Sequence, residues 1–408
     1  MNYFKIGFRN ILKNRRRSFV TLMAVAIGFA SVTLFAGYIK NVYSGLIKQA
    51  IQGELLGHVT VMKRGLRTEG KLNPEKYMFS KADLEKVMPI LKGYEHTVLV
   101  TPRVAISGLI SNGTASTIFI AEGVVPDDVK KIQGDFHRKL AGDLRADHAT
   151  GIATGEDLAK ILNLKKGDSA ALLVSTVSGQ ANALDVEVVD TFNSGNANTN
   201  DKFVYLPFEL ARNLYDLDGA ERLIVLLDDQ KFTEEARDVL SARLSQAGFD
   251  VEIKTWLELS SFYNQVKRMF DMIFSFIFSI VFVVVIMSVV NSMSMTVVER
   301  TREIGTLRSI GLRRSGIVRL FATEALILVV LGCTVGLIFT LTASLLINNA
   351  GITYTPPNAS NAVRLLVEFD VPKIVVTFVL MSLLGILAAF TPARAAARKQ
   401  IIDSLGHV

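Results

Sequence analysis

Met272 to Val298 is a run of 27 residues without one charged side chain. As a helix it is about 40 Å long, beyond the ~30 Å hydrocarbon core of a bilayer. A soluble core has no use for such a stretch, so the chain must be built around a membrane, and this helix must tilt or protrude. Three other runs obey the same constraint. Ser18–Ile39 holds 22 uncharged residues, Ile317–Ile347 is apolar apart from Arg319 and Glu324, and Ile374–Ala393 is closed by Pro392 and Arg394. Half of the residues are hydrophobic, yet a fifth are charged. Four spans therefore share the chain with a soluble part of about 200 residues.

The charges orient the spans. Residues 1–18 carry six basic and no acidic side chains, 299–314 five and two, and 391–408 three and one. These blocks sum to +11 within a chain of net +7, so the remainder is near −4. Positive charge confined to the flanks of apolar runs is the positive-inside pattern, and it excludes nucleic acid as the partner. Both termini and the 299–314 block then lie in the cytoplasm. The expected layout is a cytoplasmic amphipathic helix at 1–17, spans at 18–40, 271–298, 316–347 and 373–393, a periplasmic domain at 41–270 with stalk helices at both ends, a cytoplasmic segment at 299–315, a small outer loop at 348–372 marked by Pro356-Pro357, and a cytoplasmic tail at 394–408. Ala24-Val25-Ala26 imitates a signal-peptidase site but falls too early in the run, so the first span reads as an uncleaved anchor.

In the amphipathic helix, Phe4, Phe8 and Ile11 recur at helical spacing, with Arg9, Arg15, Arg16 and Arg17 among the basic residues around them. A disordered basic leader is the alternative. Helical stripes also continue past the spans, at Ile39, Tyr43, Leu46 and Ala50, and at Trp256, Leu259, Phe262, Val266, Met269 and Ile273. Two spans emerging as such helices pair into a stalk. Between them the pattern is α+β. Strands are expected at His58–Met62, Thr97–Thr101, Ala105–Ser111, Thr117–Glu122, Ala170–Ser175, Asp185–Thr191, Phe203–Leu206, Arg222–Leu227 and Val251–Lys254, and helices at Lys81–Leu91, Gly155–Leu162, Phe208–Leu214 and Thr233–Ala247. Phe192–Lys202 reads as an exposed loop.

Catalytic constellations are missing from the sequence. Gly305–Gly311 has a P-loop's glycines at the wrong spacing and no Lys-Ser/Thr after them. The histidines at 58, 96, 137, 148 and 407 are scattered, and Asp143, Asp147 and His148 read as a solvated loop more readily than as a metal site. Asn112-Gly-Thr and Asn358-Ala-Ser fit only the weak glycosylation pattern. The single cysteine, Cys333, lies in an apolar run, so no intrachain disulfide is available. Glu324, about two turns into the third span, is either accommodated by facing helices or part of a proton relay. The spans offer a hydrophilic substrate little, so the membrane part connects two working ends and does not conduct.

These residues carry a resemblance. Gly7-Phe8-Arg9-Asn10-Ile11-Leu12-Lys13-Asn14-Arg15-Arg16-Arg17-Ser18 resembles the opening of ABC-transporter permeases of the MacB/LolC/FtsX superfamily. Glu299-Arg300-Thr301-Arg302-Glu303-Ile304-Gly305 through Ile310-Gly311 is similar to their "ERtrEIGtlraiG" segment, Phe321–Ala325 to the start of their third span with Gly332 and Gly336 after it, and Thr154–Lys160 with Lys166-Gly167-Asp168 to a motif of their outer domain. The resemblance implies four transmembrane helices, an α+β periplasmic domain of Porter and Sabre subdomains, and assembly of two permease copies or paralogues with two ATPase subunits in the bacterial inner membrane. It implies a non-catalytic subunit without a cofactor, Mg-ATP being bound by the partner ATPase. Movement of the ATPase is relayed through the stalks to the outer domain, a mechanism called mechanotransmission. The docking element is implied to be Glu299, Arg300, Arg302, Glu303, Gly305, Arg308 and Gly311. The residues hold no nucleotide-binding domain of the kind fused in the MacB branch, so a separate ATPase is expected, and the outer region exceeds that of the FtsX branch. The layout is closer to the lipoprotein-releasing LolC/LolE branch, which implies a periplasmic carrier or lipoprotein as partner, with Val174–Ala183 as candidate for that branch's recruiting hook. Efflux of amphiphiles or peptides, and signalling to a periplasmic partner, are the alternatives.

Overall fold

The computed structural model describes residues 3–70, 72–134, 142–194, 197–355 and 362–398. Pro356-Pro357, Asn358, His137, His407, residues 195–196 of the Phe192–Lys202 loop and the tail beyond Arg398 lie outside these. The chain divides into a helical unit (1–43, 266–353 and 364–408) and an α+β unit (44–265 and 354–363).

The chain starts with α1, Tyr3–Lys13, and α2, Arg15–Lys48, separated at Asn14. A π-helical turn, Gln49–Gly53, ends the α2 helix. Next come β1 (Val59–Lys63), α3 (Lys81–Lys92), β2 (Thr97–Ser111), β3 (Ser116–Val124), α4 (Pro126–Gln133), β4 (Gly151–Gly155), α5 (Glu156–Ile161), β5 (Ser169–Ser175), β6 (Ala181–Phe192), β7 (Phe203–Pro207), α6 (Phe208–Tyr215), β8 (Arg222–Leu227), α7 (Thr233–Gln246) and β9 (Val251–Thr255). The strand order is β9-β1-β8-β2-β3-β7-β4-β6-β5, and β5 pairs back onto β2. One long strand thus serves two bodies. Its first half is the edge of an open antiparallel sheet with β8, β1 and β9. Its second half closes a six-stranded barrel, in which no edge is left for stray pairing.

Local chemistry explains the elements. Ser80 caps α3 by accepting from Asp83 N–H at 3.1 Å, while the Asp83 carboxylate accepts from Ser80 N–H at 3.0 Å. α3 and α7 cover one face of the open sheet, burying Val87, Leu91, Leu240 and Leu244 against Val61 and Val225. Inside the barrel, Val104, Ile106, Ile110, Leu172, Val186 and Val204 form a second core. Asn112-Gly113 is the β2–β3 turn, with Gly113 at φ +89° and Asn112 Oδ1 accepting from Thr114 and Ala115 N–H.

Five expectations change, one of them the exposed loop at Phe192–Lys202: Phe192 is the buried end of β6, and Ala197–Asn200 is a helical turn with Asn200 buried. Thr97–Thr101 and Ala105–Ser111 are one strand running through Pro102. Arg103 turns its carbonyl toward Glu221 N–H, so the donor that Pro102 lacks falls on the opposite edge, where pairing with β3 begins only at Val104. Residues 151–155 are a strand, and the helix that follows starts at Glu156, not Gly155. The stripe from Trp256 is not continuous. Trp256–Leu259 is a separate turn with its own Thr255/Glu258 capping box, and the long helix begins at Ser261. Asp185–Thr191 is the inner part of the longer β6.

The remaining helices are α8 (Ser261–Glu299), α9 (Thr301–Ser309), α10 (Arg314–Asn349) and α11 (Val371–Arg398). α2, α8, α10 and α11 are long and apolar enough to cross a membrane. α8 packs on α2 through Phe270 and Phe274 against Phe35, and where Tyr43 donates to the Asp271 carboxylate at 2.8 Å. α10 meets α2 through Gly332 and Gly336, and α11 through Val329 against Gly385.

Candidate coupling site

The charged segment between α8 and α10 folds as a short helix set off at both ends. Arg300 breaks the chain direction with φ −107° and ψ 17°, and α9 starts at the next residue. Its end is a Schellman motif: Leu312 N–H donates to Leu307 O, Gly311 N–H to Arg308 O, and Gly311 takes φ +96°. Leu307 and Leu312 both pack on the core of the helical unit. Thr301, Ile304 and Gly305 are buried, whereas Arg302, Glu303 and Thr306 are exposed. Arg302, Thr306 and Ile310 follow at intervals of four, which puts them on one exposed ridge of the helix. Ile310 is 77% exposed, an apolar tip among basic neighbours, and reading charge alone passed over it.

Behind that ridge lies a polar brace. Arg300 donates to both Glu303 oxygens, Nε to Oε2 at 2.7 Å and Nη2 to Oε1 at 2.9 Å, and Nη1 donates to Glu324 Oε2 at 3.0 Å. The guanidinium is 10% exposed, the Glu324 side chain 4%, and Arg300 also lies over the Phe321 ring. Asn10 Nδ2 donates to the same Glu324 oxygen at 3.3 Å. Glu299 accepts from Arg17 Nη1 at 2.8 Å and from Asn14 Nδ2 at 3.4 Å, while Arg17 Nη2 reaches Thr296 Oγ1 at 2.6 Å. The hydrogen bonds from Arg300 hold the Glu303 carboxyl below the usual carboxylate range, against the opposing pull of partial burial.

The predicted residues therefore divide. Arg300 turns inward as brace, while Glu299 stays exposed and is tied to Arg17 from the amino-terminal group. Arg302 and Glu303 face outward. Gly305 is helix interior, Arg308 half-buried and Gly311 the helix stop. On α1, Phe4 (63% exposed), Phe8 and Leu12 line the free face, with Arg9 also exposed, while Gly7 and Ile11 turn inward. Ile11 thus packs inside rather than on the face with Phe4 and Phe8. Arg15 and Arg16 are exposed at the start of α2. Asn10, Asn14, Thr296 and Glu324 were not recognised as parts of one site. The Glu324 charge inside an apolar run, and the family resemblance of the segments holding Asn10, Asn14 and Glu324, were its sequence signals.

At the other candidate positions, Val174–Ala183 is a tight β5–β6 hairpin held down by Val177 N–H on Tyr215 O and Asn182 Nδ2 on Leu214 O. Asp143, Asp147 and His148 disperse into exposed pairs with Lys166, Arg145 and Glu187.

Four helices of membrane-spanning length with an α+β domain inserted after the first define a multi-pass membrane protein. Residues 18–243 match the MacB-like periplasmic core domain, and 274–401, which enclose α9 and Glu324, match the FtsX-like permease C-terminal domain. The chain belongs to the MacB/LolC/FtsX superfamily of ABC-transporter permeases. It is 24% identical to the macrolide export ATP-binding/permease protein MacB of Acinetobacter baylyi over 99% of its own length, and spans 59% of that relative. It is 22% identical to the uncharacterised ABC transporter permease YvrN of Bacillus subtilis over the full length of both. The crystal structure of the periplasmic region of MacB from Actinobacillus actinomycetemcomitans aligns with 55% of this chain and 95% of its own, at 15% identity and a TM-score of 0.36.

Proposed function

We propose that this chain is the non-catalytic permease subunit of a mechanotransmission transporter in the bacterial inner membrane. It works with a second permease copy or paralogue and with a cytoplasmic ATPase that binds Mg-ATP. The observation that carries this reading is α9: a short helix between two spans, with Arg302, Thr306 and Ile310 presented outward and Arg300 braced behind them. An exposed apolar tip ringed by cations suits a groove on a partner with acidic walls. ATPase closure pushes on α9, and the spans carry the displacement toward the periplasmic domain.

The cargo is an amphiphile expelled from the periplasmic side. Relatives named for macrolide and pyoverdine export support efflux. Lipoprotein release needs a projecting hook, and the hairpin at Val174–Ala183 is tied to the domain surface. The test is to copurify the chain with its candidate partner ATPase and to compare Arg302→Glu, Glu303→Ala and Ile310→Asp. Loss of assembly and of ATPase turnover is expected for Arg302→Glu and Ile310→Asp. Assembly and turnover unchanged in all three would refute the docking assignment.

A further inference from the structure

Resting on the docking role of α9, we propose that Glu324 and Asn10 are positioning residues which fix the attitude of that helix. The amino-terminal helix α1 is then a working part of the coupling joint and not only a membrane anchor. Arg300 is the pin. It sits at the break between α8 and α9, and its one guanidinium holds two carboxylates that belong to different elements. Glu303 rides on α9. Glu324 is fixed in α10, one of the long apolar helices. A rotation of α9 therefore drags α10 or breaks one of the two ion pairs of Arg300, the half-exposed one to Glu303 or the nearly dry one to Glu324, and separating the buried charges is strongly unfavourable. Movement of α9 reaches α8 along the backbone and α10 through this pair.

α1 completes the joint. Asn10 shares the Glu324 oxygen that Arg300 uses, so it holds the carboxylate toward the pin. Close approach makes this contact available. A Cβ on Gly7 would lie 3.2 Å from Ile327 Cδ1 and 3.4 Å from the Glu324 Cα, so α1 lies against α10 at the level of the carboxylate. Below it, Arg17 and Asn14 bind Glu299 at the end of α8, and Arg17 binds Thr296. Residues at the α1–α2 boundary thereby hold α8 on one side of the break, while Asn10 and Glu324 hold the pin on the other.

The test uses the full permease–ATPase complex in lipid nanodiscs. Nitroxide pairs at Leu12→Cys, an exposed position on α1, and Ser309→Cys, in a Cys333→Ser background, report the α1–α9 distance. Glu324→Gln, Asn10→Leu and Gly7→Val are compared for assembly, ATP-driven turnover and distance distribution. Gly7→Val displaces α1 without changing a polar group, so it answers for the case in which Glu324→Gln fails to fold. The expected result is a broadened or shifted distance distribution and a turnover lower by about tenfold, the scale of a lost allosteric coupling, with assembly retained. An unchanged distance and turnover in folded Asn10→Leu and Gly7→Val would overturn the proposal while leaving docking intact. Failure of docking itself reads differently: Arg302→Glu and Ile310→Asp would then assemble like the parent.

Discussion

The crossing of α2 and α10 offers a quantitative test of how the helical unit is held. Gly332, Gly336 and Thr340 recur every four residues on α10, and each meets α2. A Cβ at Gly336 would lie 2.6 Å from the Ala26 carbonyl oxygen and 3.2 Å from Ala26 Cα. Carbon–carbonyl contacts settle near ~3.3 Å or beyond, so the helices must part by roughly 0.7 Å to admit a methyl group. One turn further on, Thr33 and Thr340 share a hydrogen bond at 2.8 Å, which that separation stretches past useful range. Overpacking costs about 1–3 kcal/mol and the hydrogen bond adds about 0.6 kcal/mol in a membrane bundle. Alanine's better helix propensity returns about 1 kcal/mol. Gly336→Ala should therefore lose about 0.6–2.6 kcal/mol, with a mid-range of about 1.6. Gly45→Ala is the control, because nothing lies within 4 Å of its Cβ position and only the propensity gain remains. Cys333, the single cysteine, is buried one residue from Gly332. Its reaction with a fluorogenic maleimide during a thermal ramp in detergent reports opening of this bundle. The midpoint should drop by about 5 °C for Gly336→Ala and should not drop for Gly45→Ala. Equal midpoints for the two variants would refute the claim that backbone contact at Ala26 sets the crossing.

Two buried groups in the α+β unit should mask each other's pH dependence. Burial, then the Glu122 charge, pushes the Glu54 carboxyl from 4.5 up to about 7, so the folded form holds the extra proton and this stability is lost as pH rises from 4.5 through 7. Burial lowers His58 from 6.5 to about 4, so its contribution is present above 6.5 and lost as pH falls toward 4. Each is worth roughly 3 kcal/mol, with opposite slopes over the shared window. Denaturation followed by Trp256, the single tryptophan, should be nearly flat between pH 5 and 6.5 in the parent. Glu54→Gln should unmask a fall toward acid and His58→Gln a fall toward alkali; parallel curves for the two variants would contradict both assignments. At the helix stop, Gly311 stands at φ +96° in open space. Gly311→Ala should therefore cost only backbone strain of about 1 kcal/mol, weakening ATPase assembly about fivefold, and Gly311→Asn should weaken it less.

The spans were legible because their signal is additive: a long run without charge means the same thing wherever it folds. Strands that alternate between buried and part-exposed residues were also legible, as at Val251–Thr255. β4 was not, since Gly151–Gly155 is buried along its whole length between β6 and β7 and so has no alternation to read. α4 carried a signal that went unread, Pro126 at its start with Asp127 and Asp128 in the first turn. The exposed face of α9 was visible as charge. Its brace was not, because Asn10 and Glu324 are 314 positions apart and Arg17 and Glu299 are 282 apart. Only folding brings such pairs together, and each residue alone has an ordinary explanation.

The same distances bear on what the membrane part can do. Glu324 is the carboxylate within the apolar runs 18–39, 272–298, 317–347 and 374–393, and both Arg300 and Asn10 already occupy one of its oxygens. Thr33 and Thr340 satisfy each other, and Thr296 is shared by Arg17 and the Ser292 carbonyl. Polar groups already paired in this way do not line a route for a hydrophilic substrate. They do make a stiff coupling. α2 and α8 run 34 and 39 residues, about 50 and 58 Å at 1.5 Å per residue, well beyond the ~30 Å core. A helix anchored at one end by ion pairs and longer than the bilayer is thick carries a displacement from one side to the other without opening a pore. Under the proposed function, the Arg300 joint is the step that decides efficiency: a loose joint would let α9 follow the ATPase while the spans stay still.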